Sequence, residues 1–164
     1  MKKIRILGID PGTAIVGYGI IDWINNEYKV IEYGCIYTEK HKKPEARLLE
    51  IYKAFEKLIK LYEPNEIAVE DLFFNKNAKT ALSVGQARGV ILLLSAKMKI
   101  PIASYTPLQV KQGITSYGRS SKEDMQQMVK FILNLEEIPK PDDAADGLAI
   151  AITHINSLVN LGLK

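Results

Sequence analysis

The chain has 164 residues, 22 Lys and Arg against 19 Asp and Glu, and is 47% hydrophobic and 25% charged; this excludes a disordered or low-complexity polypeptide and leaves enough apolar surface for one packed core. Its one cysteine, Cys35, excludes an internal disulfide and a thiolate metal cluster, and is expected in the core. The longest apolar run, Gly89 to Ala96, is too short to cross a bilayer, so a single cytoplasmic domain spanning residues 1–164 is expected.

Ile4 to Ile9, Ile15 to Ile21 and Tyr28 to Tyr37 are rich in β-branched and aromatic residues and separated by short Gly, Asp and Asn punctuation, the pattern of a three-stranded antiparallel meander. Pro44 to Tyr62 then carries Leu48, Leu49, Ile51, Tyr52, Phe55, Leu58, Ile59 and Tyr62 at helical spacing, with Pro64 just beyond. Glu66 to Glu70 reads as a short buried strand, Asn77 to Met98 as a long helix and Ile102 to Tyr105 as a fifth strand. Right-handed crossovers would set these later strands parallel to the first, giving an α/β fold with a mixed five-stranded sheet flanked by helices. Thr106-Pro107 opens a short helix, Ser121 and Asp124 have the spacing of a capping box, and Pro141-Asp142 starts the last helix.

Three places combine this framework with acidic groups. Asp10 follows the first strand in Gly8-Ile9-Asp10-Pro11-Gly12-Thr13, where a turn aspartate bonded to its own backbone is the ordinary alternative. Glu70 ends Ile67-Ala68-Val69-Glu70, on a strand expected beside the first; Asp71 should point to the opposite face. Asp143 and Asp146 stand three residues apart on one helical face, among the small residues Ala144, Ala145, Gly147 and Ala149 that permit close packing on a sheet. Favourable charge at a helix N-terminus accounts for Asp142 and partly for Asp143, but poorly for Asp146. An all-carboxylate set suits Mg²⁺, with Mn²⁺ as a substitute, and two such ions would support phosphodiester hydrolysis. His154, eleven residues past Asp143 and about 16 Å further along the helix, is not expected as a ligand.

Charge is distributed unevenly around these acids. Between Leu72 and Leu135 nine Lys or Arg face only Glu123 and Asp124, so this stretch carries +7 and the rest of the chain −4. Basic groups beside an acidic cluster are the expected arrangement where a polyanion docks next to a metal site, although solvated lysine-rich helices give a similar count.

Taken together, Gly8-Ile9-Asp10-Pro11-Gly12, Val69-Glu70, Gly85-Gln86-Ala87-Arg88-Gly89 and Asp143-Ala144-Ala145-Asp146-Gly147-Leu148-Ala149-Ile150-Ala151 resemble the RuvC Holliday-junction resolvases in order and spacing, over essentially the whole chain. The resemblance implies a ribonuclease-H-like fold, a homodimer, and paired cuts in opposing strands of four-way junction DNA during recombination and repair, with RuvA and RuvB as partners. It makes Asp10, Glu70, Asp143 and Asp146 the catalytic, metal-binding set. It also implies that Phe73 stacks on an unpaired base, with core filling the alternative for it or Phe74, and that Lys111 and Lys122 lie near the scissile phosphate. Lys76, Arg88 and Arg119 are further phosphate-contact candidates, for which solvated charge is an equal account. The small stripe Ala81, Gly85 and Gly89 belongs to a helix that the resemblance places at the dimer interface; packing on its own sheet explains it equally well.

Three other readings remain at this level. Asp10-Pro11-Gly12-Thr13 also resembles the phosphate loop of actin-like ATPases and sugar kinases, which need a second domain. A nuclease of related fold acting on RNA is another, and a non-catalytic junction-binding module is the third.

Overall fold

The computed structural model describes residues 3–71, 78–116 and 118–162. Five strands, β1 (Ile4–Asp10), β2 (Ile15–Ile24), β3 (Glu27–Tyr37), β4 (Glu66–Glu70) and β5 (Ile102–Tyr105), form one sheet in the order β3-β2-β1-β4-β5. The first three pair antiparallel, and β4 and β5 add to β1 in parallel, as the meander and crossovers require.

The meander strands run further than apolar alternation indicates. β2 continues through Asp22, which is 2% exposed, because Arg5 on the neighbouring strand meets its carboxylate at 2.6 and 2.9 Å and Lys3 meets it at 2.8 Å. A buried charge satisfied this way no longer ends a strand. Asn25 and Asn26, both at positive φ, then close the tight hairpin to β3.

Helices cover both faces. α1 (Pro44–Tyr62) and α2 (Ala78–Met98) pack Ile51, Phe55, Ile59, Ala87, Ile91 and Leu94 against Leu7, Ile9, Ile20, Ile67 and Val69. On the other face lie α3 (Pro107–Thr115), α4 (Lys122–Ile132) and α5 (Asp142–Asn160), over Ile4, Ile6, Ile21 and Ala68. Thr106 and Ser121 close capping boxes with Gln109 and Asp124. Cys35 departs from expectation: it lies on the edge strand β3 and is only half-buried, because that strand has a neighbour on one side alone.

α5 contributes more to this layer than any other helix, and it reaches the sheet because the facing positions lack side chains. A Cβ at Gly8 would stand 2.2 Å from the Gly147 carbonyl oxygen, and one at Gly17 would stand 1.8 Å from that of Asp143. Backbone meets backbone there, which holds the first turns of α5 against the ends of β1 and β2.

Candidate active site

β1 and β4 are parallel neighbours with Ile9 opposite Val69, so the residues that follow, Asp10 and Glu70, leave adjacent strands at the same end of the sheet. Strand alternation turns both toward α5, since Ile6 and Ala68 belong to that core while Ile9 and Val69 belong to the other. α5 starts above this end and brings Asp146 down to them. Asp10, Glu70 and Asp146 line one cavity of about 230 Å³, completed by Pro107, Val110, Lys111, Lys122, Met125 and Ile150. Three carboxylates far apart in sequence thus line one space, together with the apolar side chains of Val110, Met125 and Ile150 and the two lysines 111 and 122.

Asp143 takes a different place. It lies outside the lining of that cavity, above Gly17, where its charge still reaches Asp10. Lys122 pairs with Asp142 at 3.4 Å and approaches Asp146 at 3.9 Å. Asp71 points away, as alternation requires, and meets Arg88 from α2 at 3.2 Å. Arg88 also donates to Ser104 at 2.8 Å and is 18% exposed, so it lies against the α2 side of the sheet and not on the cavity rim. Arg119 is exposed and does not line the cavity. Phe73, Phe74, Lys76 and the expected helix start at Asn77 lie outside the described residues.

Crowding acids in a half-buried site shifts their titration. Burial, reinforced by the charges of Glu70, Asp146 and Asp143, pushes Asp10 up to about 8. Burial and Asp146 push Glu70 up to about 7, against a hydrogen bond from Asp10 that works the other way. Asp146 is also raised, chiefly by burial, with Lys122 opposing. Burial tends to lower the Lys122 pKa, but Asp146, Asp142 and Asp143 outweigh it and hold the ammonium above its ordinary value.

A site that drives carboxylates toward protonation lacks positive charge, and its donors are oxygens, which suits a hard divalent cation. The residues present fit such an ion. Among the described residues no three acidic, imidazole or thiol groups already stand in a metal-holding arrangement, so the carboxylates line a common cavity without converging on one point. The raised carboxyls carry protons in the fold at a pH where the unfolded chain has lost them. Stability of the ion-free protein is therefore expected to fall as pH rises from about 4 through about 8. Thermal melts across that window check the sign: Asp10→Asn should flatten the fall, and a parent melting temperature that climbs steadily would contradict it.

The lining residues Pro107, Val110, Met125 and Ile150 were not singled out from sequence. The available signal was spacing, since Val110 adjoins Lys111 and Met125 follows Lys122 by three on a helix. Asp142 as the partner of Lys122 was also missed, because charge at a helix N-terminus already explained it.

Comparison with known proteins bears directly on this arrangement. Residues 6–154 match the family model described as crossover junction endodeoxyribonuclease RuvC. A protein of Fusobacterium nucleatum subsp. nucleatum named crossover junction endodeoxyribonuclease RuvC is 58% identical over 154 residues, covering 94% of this chain and 81% of the relative. Among solved structures, RuvC of Thermus thermophilus superposes with a TM-score of 0.89 at 30% identity, covering 96% of each chain. The same protein in complex with a Holliday junction substrate gives 0.87 at 29% identity, covering 97% of each.

Proposed function

The chain belongs to the RuvC family, and on that premise we propose that it is a crossover junction endodeoxyribonuclease, resolving four-way DNA junctions by hydrolysing phosphodiester bonds in two opposing strands during recombination and repair. The observation that carries the proposal is the cavity lined by Asp10, Glu70 and Asp146, from two strands and a helix, together with Lys111 and Lys122. Asp143 joins them as the fourth member of the set, close enough for its charge to act on Asp10. Residues 1–164 act as one nuclease domain.

Asp10, Glu70 and Asp146, with Asp143 beside them, would hold Mg²⁺, two ions per site, with Mn²⁺ able to replace it. Such ions, when bound, would supply charge stabilisation at the scissile phosphate and acidify an attacking water. The chain's own part is positional. The strand ends fix Asp10 and Glu70, the glycine contacts fix α5, and the apolar side chains of Val110, Met125 and Ile150 in the cavity lining limit water around the acids. Lys111 and Lys122 receive the DNA backbone, with Lys122 exchanging its pairing with Asp142 for a phosphate.

Lys111→Ala and Lys122→Ala are each expected to weaken junction binding and to reduce the slope of log affinity against log salt by about one. Fluorescence anisotropy at several salt concentrations reads both, and an unchanged slope would remove that lysine from phosphate contact.

A homodimer completes the proposal, pairing two active sites about a twofold axis to match a four-way junction. It is supported by α2, where Leu82 and Leu93 are 66% and 64% exposed and a Cβ at Gly89 would meet nothing within 4 Å. Gly89 therefore does not serve packing on its own sheet, and that face of the helix is free for a second copy. RuvA and RuvB are the proposed branch-migration partners, and the cytoplasm the proposed location; no helix among the described residues is long and apolar enough to cross a membrane. Incubating the protein with a mobile four-way junction and a matched linear duplex, with and without Mg²⁺, tests the function. Symmetric, Mg²⁺-dependent nicks confined to the junction are expected; equal cutting of the duplex, or none of either, would refute it.

A further inference from the structure

α5 carries one buried titratable residue that the proposed mechanism does not use. His154 is 3% exposed, and both of its ring nitrogens are engaged. Nε2 lies 3.0 Å from a Glu66 carboxylate oxygen and Nδ1 lies 2.8 Å from the Tyr105 hydroxyl. A carboxylate only accepts, so Nε2 donates to Glu66, and in the Nε2–H tautomer Nδ1 accepts from the Tyr105 hydroxyl. Tyr105 also packs its ring edge-on against the imidazole, with centroids 5.7 Å apart.

The partners are placed where they matter to the site. Glu66 begins the strand that Glu70 ends, and Tyr105 is the residue directly opposite Glu70 on β5. The Tyr105 carbonyl accepts the backbone N–H of Asp71 at 2.8 Å, which joins the two strands at this point. His154 itself follows Asp146 by eight residues on one helix, about 12 Å along its axis. One imidazole therefore connects the helix bearing Asp146 to the strand bearing Glu70 and to its neighbour.

The remaining side-chain hydrogen bonds of α5 among the described residues do not do this. Its glycine and alanine face sits on β1 and β2, where steric fit sets how close the helix comes to those two strands. Asn156 accepts from the Tyr28 hydroxyl on β3 and donates to the Gly113 carbonyl on α3, neither of them on β4 or β5. Among the described side-chain hydrogen bonds, those of His154 are the ones that hold α5 against β4 and β5.

We propose that His154, bonded to Glu66 and Tyr105, is a positioning residue that sets where Asp146 stands opposite Glu70. This rests on the reading of those carboxylates as a cation site, and the test separates the two. In His154→Phe the ring volume remains and both hydrogen bonds are lost. Mn²⁺ affinity, read by electron paramagnetic resonance without DNA, is expected to fall about tenfold, and single-turnover junction cleavage by a similar factor, since small misplacement of catalytic groups has large effects. Junction affinity without divalent ions should stay within about twofold, because no DNA-contacting group is touched. His154→Gln keeps a donor for Glu66 and should recover most of the Mn²⁺ affinity. Tyr105→Phe removes one hydroxyl and should give a smaller loss in the same direction, which keeps the test open if His154→Phe does not fold. Parent-like Mn²⁺ affinity in folded His154→Phe, or in Tyr105→Phe should the former not fold, would overturn the positioning role and leave the cation site standing. A parent chain that binds no Mn²⁺ would overturn both.

Discussion

A Glu70→Gln chain is expected to bind four-way junctions as well as the parent and to cut them at least about a thousandfold more slowly, a barrier increase of about 4 kcal/mol. The substitution changes shape very little, so the strand end and the cavity wall survive. What it removes is an anionic oxygen from a site whose other acids are already driven toward protonation by burial and one another. Less negative charge beside a polyanion cannot weaken docking, so affinity should hold or rise. The melting temperature should not fall either, because a repulsive member of the cluster is gone. Asp10→Asn and Asp146→Asn are expected to behave alike, since all three side chains line the same cavity. Single-turnover cleavage on a labelled junction, paired with anisotropy for binding, reads the separation. Normal turnover in any of the three would remove that residue from the catalytic set.

Gly17→Ala, far smaller in chemical terms, is expected to cost about a hundredfold in cleavage. The added methyl would stand 1.8 Å from the Asp143 carbonyl oxygen and 2.4 Å from its carbon, and both are backbone atoms of α5's first turn. No rotamer change relieves such a clash, so the helix must lift by an ångström or more. Displacement of that size commonly lowers catalysis by about two orders of magnitude, and overpacking of this kind costs about 1–3 kcal/mol of stability. Asp143 and Asp146 ride on the displaced turn, whereas Asp10 and Glu70 stay with their strands. Cation affinity should therefore drop together with turnover, and metal-free junction binding should change little. Parent-like cleavage would mean that the seating of α5 does not set the geometry of the site.

Much of this architecture is legible in the residues because it is local. Alternation places Ile67 and Val69 on one face and Glu70 on the other, turns Asp71 away, and leaves Asp10 where β1 ends; the small residues around Asp146 announce a helix lying close on a sheet. What escapes such reading depends on partners set by the order of the strands. Asp22 looked like a strand end until Arg5, seventeen residues away, neutralised it. Cys35 looked like core until β3 proved to be an edge. The basic segment read as one cluster beside the acids, yet it spans both layers: Lys111 and Lys122 reach the cavity, while Arg88 and Lys97 lie on the α2 side with Asp71 and Glu56. His154 illustrates the same limit. Distance along the helix correctly separates it from the acidic pair, but its bonds to Glu66 and Tyr105 arise only once β4 and β5 lie side by side under α5.

Growing crystals of the full chain in Mn²⁺ and collecting data at the manganese edge locates any bound ion directly. Anomalous density inside the space enclosed by Asp10, Glu70 and Asp146, lost in the Glu70→Gln crystal, is the expected result. Manganese found only elsewhere on the molecule, with that space empty in a chain that still cuts junctions, would contradict the account.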